Sequence, residues 1–328
     1  MKPFLRLRYH KKQMKHLKVA TVIVLTFFSI SMPLYGKEKR YIIGWQDKAA
    51  GLFHCFFDTL NKLGWCEKQG LTPIVYWDSD SLYFEKEGYN ESTNVWEYYF
   101  EPVSNATNRL GEKINKNGEP KQIPDAMPII GWMQDYTREK WYRQKVNRII
   151  SKYVKIKPCI TKKIETFYTS YMLGKKTIGI HIRGTDKYRE TGVIKPATIF
   201  EQANILAKQF PACQFLLATD ELSILEEGKN VLQGNVIFYE AFRSQDGRPI
   251  HFNTHEYSKA KLGEEVLIET VLLSKTDIFL HSMSNVSSAV LYFNPALNNI
   301  LFKHNLEIES NRKPIETLDI DKFWWVTI

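Results

Sequence analysis

From Thr177 onward the chain alternates short apolar runs with amphipathic stretches, and this alternation admits few folds. Runs at Thr177–Ile182, Cys213–Thr219, Asn235–Tyr239, Asp277–His281 and Asn299–Lys303 are too short for ordinary helices and read as strands. Between them, Pro196–Phe210, Glu221–Leu232, Gly263–Ser274 and Asn285–Phe293 carry helical spacing. Such an order predicts a doubly wound parallel sheet with right-handed crossovers. Ligands of open parallel sheets sit outside the carboxyl ends of the strands, so the polar residues that close each apolar run become candidates. Three segments end this way: TIGIHIRGTDKYRE (177–190), CQFLLATDE (213–221) and KTDIFLHSMSNVSS (275–288).

The first half is less regular. Arg40–Trp45 and Thr72–Trp77 read as strands, and Ala49–Gly70 as a helix with Leu52, Phe56, Leu60 and Leu63 along one stripe. Asp78–Gly131 is irregular and aromatic-rich, with NVWEYYF at 94–100. Those rings suit either core packing or long loops over a cleft that recognise an acceptor. Two helices, Thr137–Lys157 and Pro158–Leu173, part at Pro158, which a first helical turn tolerates and a helix interior does not. At 328 residues two domains are expected, with a boundary near Gly174.

The formal charge is +9, and its location matters more than its size. Residues 1 to 40 hold 10 Lys or Arg against one acid, which leaves 35 basic and 35 acidic residues in the remainder. A neutral body argues against nucleic acid as a partner. The basic head runs into the uncharged stretch Val19–Tyr35, so residues 1–36 are expected to form a cleaved signal peptide or an uncleaved signal anchor. Either form places the protein in the secretory pathway or at a membrane. Cys55, Cys66, Cys159 and Cys213 lack zinc spacing and read as buried free thiols.

In the first segment Ile178, Ile180 and Ile182 alternate with Gly179, His181 and Arg183. The Arg183 guanidinium suits a diphosphate, Gly184 permits close backbone approach, and Lys187 adds a second positive charge. Together they suit the charge that grows on a departing nucleoside diphosphate, a task otherwise given to a metal ion. An Arg183–Asp186 salt bridge within a loop is the alternative. Asp78 and Asp80 resemble a metal-binding DxD, and His251 with His255 has zinc-like spacing, but solvated loop acids and a missing third ligand are the better readings. No GxSxG elbow or P-loop is present.

HIRGTDK, LATDE and LLSKTDIFLHSMSNVSS resemble three consecutive motifs of the GDP-fucose-dependent fucosyltransferases, the superfamily of α1,2-, α1,6- and protein O-fucosyltransferases. The likeness covers Thr177–Leu291 and is strongest to the α1,6 group, whose first motif has the same H-x-R-x-T-D-K order. It implies a GT-B-like α/β fold of two facing Rossmann-like domains with a nucleotide-sugar cleft between them. Residues 37–174 would form the acceptor side and 175–328 the donor side. By the same resemblance Arg183 binds the β-phosphate, Lys187 belongs to the catalytic loop and Glu190 is the general base. The α1,6 enzymes place that glutamate one position later, where this chain has Thr191. His181, Asp186, Asp220, Glu269, Ser284, Asn285 and Ser287 are the substrate-binding set, Glu269 standing where the family has an aspartate that reads the guanine edge. The reaction implied is an inverting transfer of fucose from GDP-fucose to a glycan hydroxyl, without cofactor or metal. Its partners would be a GDP-sugar donor, a glycan or glycoconjugate acceptor and, through an uncleaved N-terminal segment, a membrane. A different nucleotide-sugar donor and a noncatalytic nucleotide- or glycan-binding protein are the rival readings.

Overall fold

A computed structural model describes residues 39–45, 48–107, 114–115, 130, 139–185, 194–250 and 257–302. The expected signal segment 1–36 lies outside them. Among the described residues, no helix is long and apolar enough to cross a membrane.

The described strands form two sheets, each wholly parallel. In the smaller, β1 (Arg40–Ile43) lies between β2 (Thr72–Val75) and β3 (Ile114–Asn115). The larger contains β4 (Thr177–Ile182), β5 (Gln214–Thr219), β6 (Asn235–Ile237), β7 (Ile278–Ser282) and β8 (Asn298–Phe302) in the order β6-β5-β4-β7-β8. The expected doubly wound parallel sheet is thus present, and its central strand β4 carries the first motif. Every residue of β4, β5 and β7 is buried, as expected for a sheet covered on both faces.

Side chains alternate across that sheet and divide its packing in two. Ile178, Ile180, Ile182, Phe215, Leu217, Ile278 and Leu280 point to one face. They pack against α4 (Pro196–Ala207) and α5 (Leu222–Val231) through Phe200, Leu206 and Leu225. Leu216, Ala218 and Phe279 belong to the opposite core, with α6 (Lys259–Ser274) and α7 (Asn285–Phe293). This second core continues without a break into the first half, through α1 (Leu52–Gln69), α2 (Lys140–Tyr153) and α3 (Pro158–Phe167). Phe56 on α1 packs against Trp96, Phe100 and Phe293 at ring separations of 6.1, 5.4 and 6.1 Å. The two sheets fall on either side of Gly174 in sequence. Shared packing joins the described residues from Arg40 to Phe302 into one compact unit.

Several details sharpen or correct the expectations. Trp96, Tyr98, Tyr99 and Phe100 are fully buried, so core packing rather than acceptor recognition engages this aromatic run. The Tyr99 hydroxyl donates to Ala260 O at 3.0 Å, and Gly263 makes room, since a Cβ there would sit 2.2 Å from that hydroxyl. Helix α6 begins at Lys259, four residues before the expected start, because Ser258 caps it by accepting from Lys261 N at 3.2 Å. The Pro158 helix gives way after Phe167 to a wider π turn over Tyr168–Met172. Cys55 and Cys66 are buried free thiols on α1, the latter pushed up to about 12 by burial. Cys159 is exposed and Cys213 half-buried just before β5, which corrects the expectation for those two.

Candidate functional site

A cavity of about 440 Å³ opens between the start of α1 and the carboxyl ends of β4 and β5. Both halves line it. The first half contributes residues 49 to 54 and Tyr83; the second contributes His181, Arg183, Thr219, Asp220, Phe242, one face of α6 and the start of α7. Its volume suits a small-molecule ligand, and its position at strand carboxyl ends is where such sheets bind them.

At the end of β4, Arg183 is held by Asp220 from the neighbouring strand. Arg183 Nε lies 3.1 Å from Asp220 Oδ2 but off the line of a hydrogen bond, so charge attraction holds the pair. The same carboxylate accepts from Gly184 N at 2.8 Å and from the Thr185 hydroxyl at 2.9 Å. Asp220 therefore ties down the loop that follows β4. Gly184 serves this packing: a Cβ there would meet Glu221 Oε2 at 2.3 Å and Ile224 Cδ1 at 2.7 Å. Its smallness accommodates α5, where the sequence suggested approach to a ligand.

His181 precedes Arg183 by two residues and is buried. Burial, then the neighbouring His281 and Arg183, push its pKa down to about 3, so the ring is neutral. Its Nδ1 is buried without a hydrogen-bond partner among the described residues. A polar atom in that position carries a desolvation cost unless a ligand or water meets it. The paired His281 on β7 is also held neutral, down to about 4, by burial; its ring nitrogens contact Ser282 O and Asn299 Oδ1, each at 3.1 Å.

On α6, Leu262, Glu265, Val266 and Glu269 share the cavity-facing stripe. Glu269 Oε1 accepts from Arg243 Nη2 at 2.8 Å. Burial foremost, with the charges of Glu265 and Asp220, pushes the Glu269 carboxyl up to about 8 against the opposing pull of Arg243. Arg243 is itself buried and donates to the Ala241 and Tyr239 carbonyls at 2.8 and 2.9 Å. Glu265 accepts from Phe242 N at 2.9 Å and from the Tyr257 hydroxyl at 2.5 Å. Sequence reasoning missed Glu265, Phe242 and Tyr83. The signal available for Glu265 was an acid on an otherwise apolar helical stripe.

At the third segment the structure separates residues that the motif groups together. Ser284 caps α7: its hydroxyl accepts from Ser287 N at 3.0 Å, while Ser284 N donates to Ser287 Oγ at 2.9 Å. Ser287 Oγ also donates to Ser282 O at 2.8 Å. Both serines are buried, and neither lines the cavity among the described residues. Asn285 does line it, and its Oδ1 is buried without a partner there. Asn285 and Val286, which line the cavity, are the first two residues of α7, where N–H groups have no partner within the helix. A helix start presented this way attracts anions.

The structure thus brings His181, Arg183, Asp220, Glu269 and Asn285 to one cavity and assigns Ser284 and Ser287 to the helix cap beneath it. Asp186, Lys187 and Glu190 lie outside the described residues, as do His251 and His255. Among the described residues Arg183 pairs with Asp220, while the alternative partner Asp186 lies outside them. Asp78 closes a local turn by accepting from Asp80 N at 3.1 Å. No group of three His, Cys, Asp or Glu residues suited to a metal ion occurs among the described residues.

This chain is similar in structure to NodZ α1,6-fucosyltransferase. The crystal structure of that protein co-crystallized with GDP aligns with a TM-score of 0.51 and 16% identity, over 81% of this chain and 96% of that one. The structure soaked with GDP-fucose aligns with a TM-score of 0.50 and 15% identity, over 80% and 95%. At that identity the likeness is one of fold, and it bears out the expected GT-B-like α/β architecture. No protein-family model and no curated protein matches the sequence.

Proposed function

We propose that the protein is an inverting glycosyltransferase that moves fucose from GDP-fucose to a glycan hydroxyl. The observation that carries this reading is the cavity wall around Arg183. A tethered guanidinium, the unpartnered His181 Nδ1 and Asn285 Oδ1, and the start of α7 meet at the carboxyl ends of the sheet. Motif residues matching those of GDP-fucose enzymes stand at the same strand ends, and the fold is that of NodZ, whose crystals hold GDP or GDP-fucose.

In the transfer, the acceptor oxygen attacks the anomeric carbon as the bond to the β-phosphate oxygen breaks. Arg183 is fixed by Asp220 before the donor arrives, so little reorganisation is needed as charge builds on GDP. The N–H groups of Asn285 and Val286 support the same charge. Lys187 adds a second cation in this reading, and the motif's Glu190 follows it in sequence. Glu269, hydrogen-bonded to Arg243, borders the region proposed for the guanine edge. Residues 37–174 present the acceptor and 175–328 hold the donor, while residues 1–36 direct the chain to a membrane or the secretory pathway. The reading invokes neither cofactor nor metal.

Calorimetry with GDP-fucose, GDP-mannose and UDP-sugars, followed by mass analysis of products from an acceptor panel, tests it. Binding of GDP-fucose with fucosylated product is the expected result. Binding only of a non-GDP sugar overturns the donor assignment. Binding without transfer to any acceptor establishes a noncatalytic protein instead. Activity that vanishes with EDTA and returns with manganese would contradict the metal-independent mechanism.

A further inference from the structure

Inverting displacement requires a proton acceptor on the face of the sugar opposite the leaving diphosphate. Among the described residues lining the cavity, the titratable side chains besides Arg183 are His54, Tyr83, His181, Asp220, Glu265 and Glu269. Five of these six are engaged or unsuited. Asp220 holds Gly184, Thr185 and Arg183, while Glu265 holds Phe242 N and Tyr257. Glu269 is engaged by Arg243, and burial raises its carboxyl pKa. His181 lies on the diphosphate side of the cavity, two residues from Arg183, where a positive ring is opposed. Tyr83 accepts from Leu52 N at 2.9 Å, and burial raises its phenol well above the ordinary range.

His54 differs on each count. It is exposed at the cavity, and its ring makes no hydrogen bond among the described residues. It stands in the first turn of α1, where a helix fixes its backbone. Its ring meets the buried Trp45 edge to face at 5.5 Å, which restricts its rotation. It also comes from the first half of the chain, whereas Arg183, Asp220 and Asn285 come from the second. A base on one wall and a leaving-group cation on the other is the division that an inverting reaction needs.

We infer that His54 takes the proton of the acceptor hydroxyl. This rests on the reading of the cavity as a nucleotide-sugar site. In the step, the acceptor O–H bond breaks and its proton passes to an imidazole nitrogen of His54. The oxygen's electron pair forms the bond to the anomeric carbon, and the pair of the breaking C–O bond leaves on the β-phosphate of GDP.

The test uses the full chain, GDP-fucose and an acceptor that the wild type fucosylates. His54→Ala is expected to lower kcat by roughly 100- to 10,000-fold, the range of general acid–base catalysis, with donor affinity held within about threefold. Added imidazole is expected to restore part of the rate in His54→Ala and none in Arg183→Ala, a rescue that a merely structural role would not show. Near-wild-type turnover in His54→Ala overturns the inference, as does collapse of donor affinity together with rate. A wild type that binds no GDP-fucose or transfers nothing defeats the donor reading itself, a result distinct from either.

Discussion

The two faces of the five-stranded sheet differ in what they pack against. Among the described residues, one face packs against α4 and α5 and is lined by Ile178, Ile180, Ile182, Phe215, Leu217 and Leu280. It is a self-contained apolar layer. The other carries Gly179 and two histidines, and its cover is shared with the first half of the chain through α1, α6 and α7. The cavity lies on this shared side. A face that must close against a second part of the chain leaves room for a cleft where that closure is incomplete, and the polar strand ends border it.

Paired cavity-creating substitutions test that contrast most strongly. Phe56→Ala in the shared core and Phe200→Ala in the self-contained core should each destabilise the protein by about 3–5 kcal/mol in urea unfolding. Only Phe56→Ala should also weaken donor binding, because Phe56 packs on Phe293 of α7, the helix whose start borders the cavity. Equal losses of donor affinity would erase the distinction between the faces.

Arg183→Ala should cost about 2–4 kcal/mol of transition-state stabilisation, read from kcat/KM for the donor. Asp220→Asn should cost less, since it loosens the guanidinium and loop without removing either. Unchanged turnover in Arg183→Ala would remove that residue from the chemistry.

The histidines of the shared face give a pH signature. His181 and His281 have pKa values lowered from 6.5 to about 3 and about 4, so the folded protein holds both rings neutral where the unfolded chain protonates them. Stability from this source is present above pH 6.5 and is lost as pH falls through 6.5 toward 4, by up to about 1.4 kcal/mol per pH unit for each ring. Urea midpoints between pH 7 and 5 should fall accordingly, and His281→Asn should make the slope shallower. A slope unaffected by His281→Asn would contradict the assignment.

The smallest expected effect is Ser284→Ala, about 1 kcal/mol from loss of the α7 cap. Its measured loss should appear in stability and only weakly in donor affinity. A large affinity loss at constant stability would show instead that the hydroxyl contacts the ligand directly.

Much of the fold was legible in the chain. Strand Thr177–Ile182 and helix Asn285–Phe293 occur at the expected residues, and the other strands of the large sheet fall within a residue or two at most ends. The first half was harder to read because its order depends on rings such as Trp96 and Phe100, which have no periodic spacing and find their places only against α1 and α7. For the site, His181, Arg183, Asp220, Glu269 and Asn285 were identifiable as strand-end or helix residues that reach the cavity. Their individual partners were not.

Apolar periodicity and the motif order come from neighbours along the chain, and they were enough to establish the parallel α/β layout and the end of the sheet that bears the site. Hydrogen-bond partners come from segments distant in sequence. Asp220 became a tether for Arg183, Ser284 and Ser287 became a helix cap, and His54 reached the cavity from the opposite half only through long-range packing. A buried polar group must be satisfied by whatever the folded chain brings within about 3 Å, and local patterning carries no record of that neighbour.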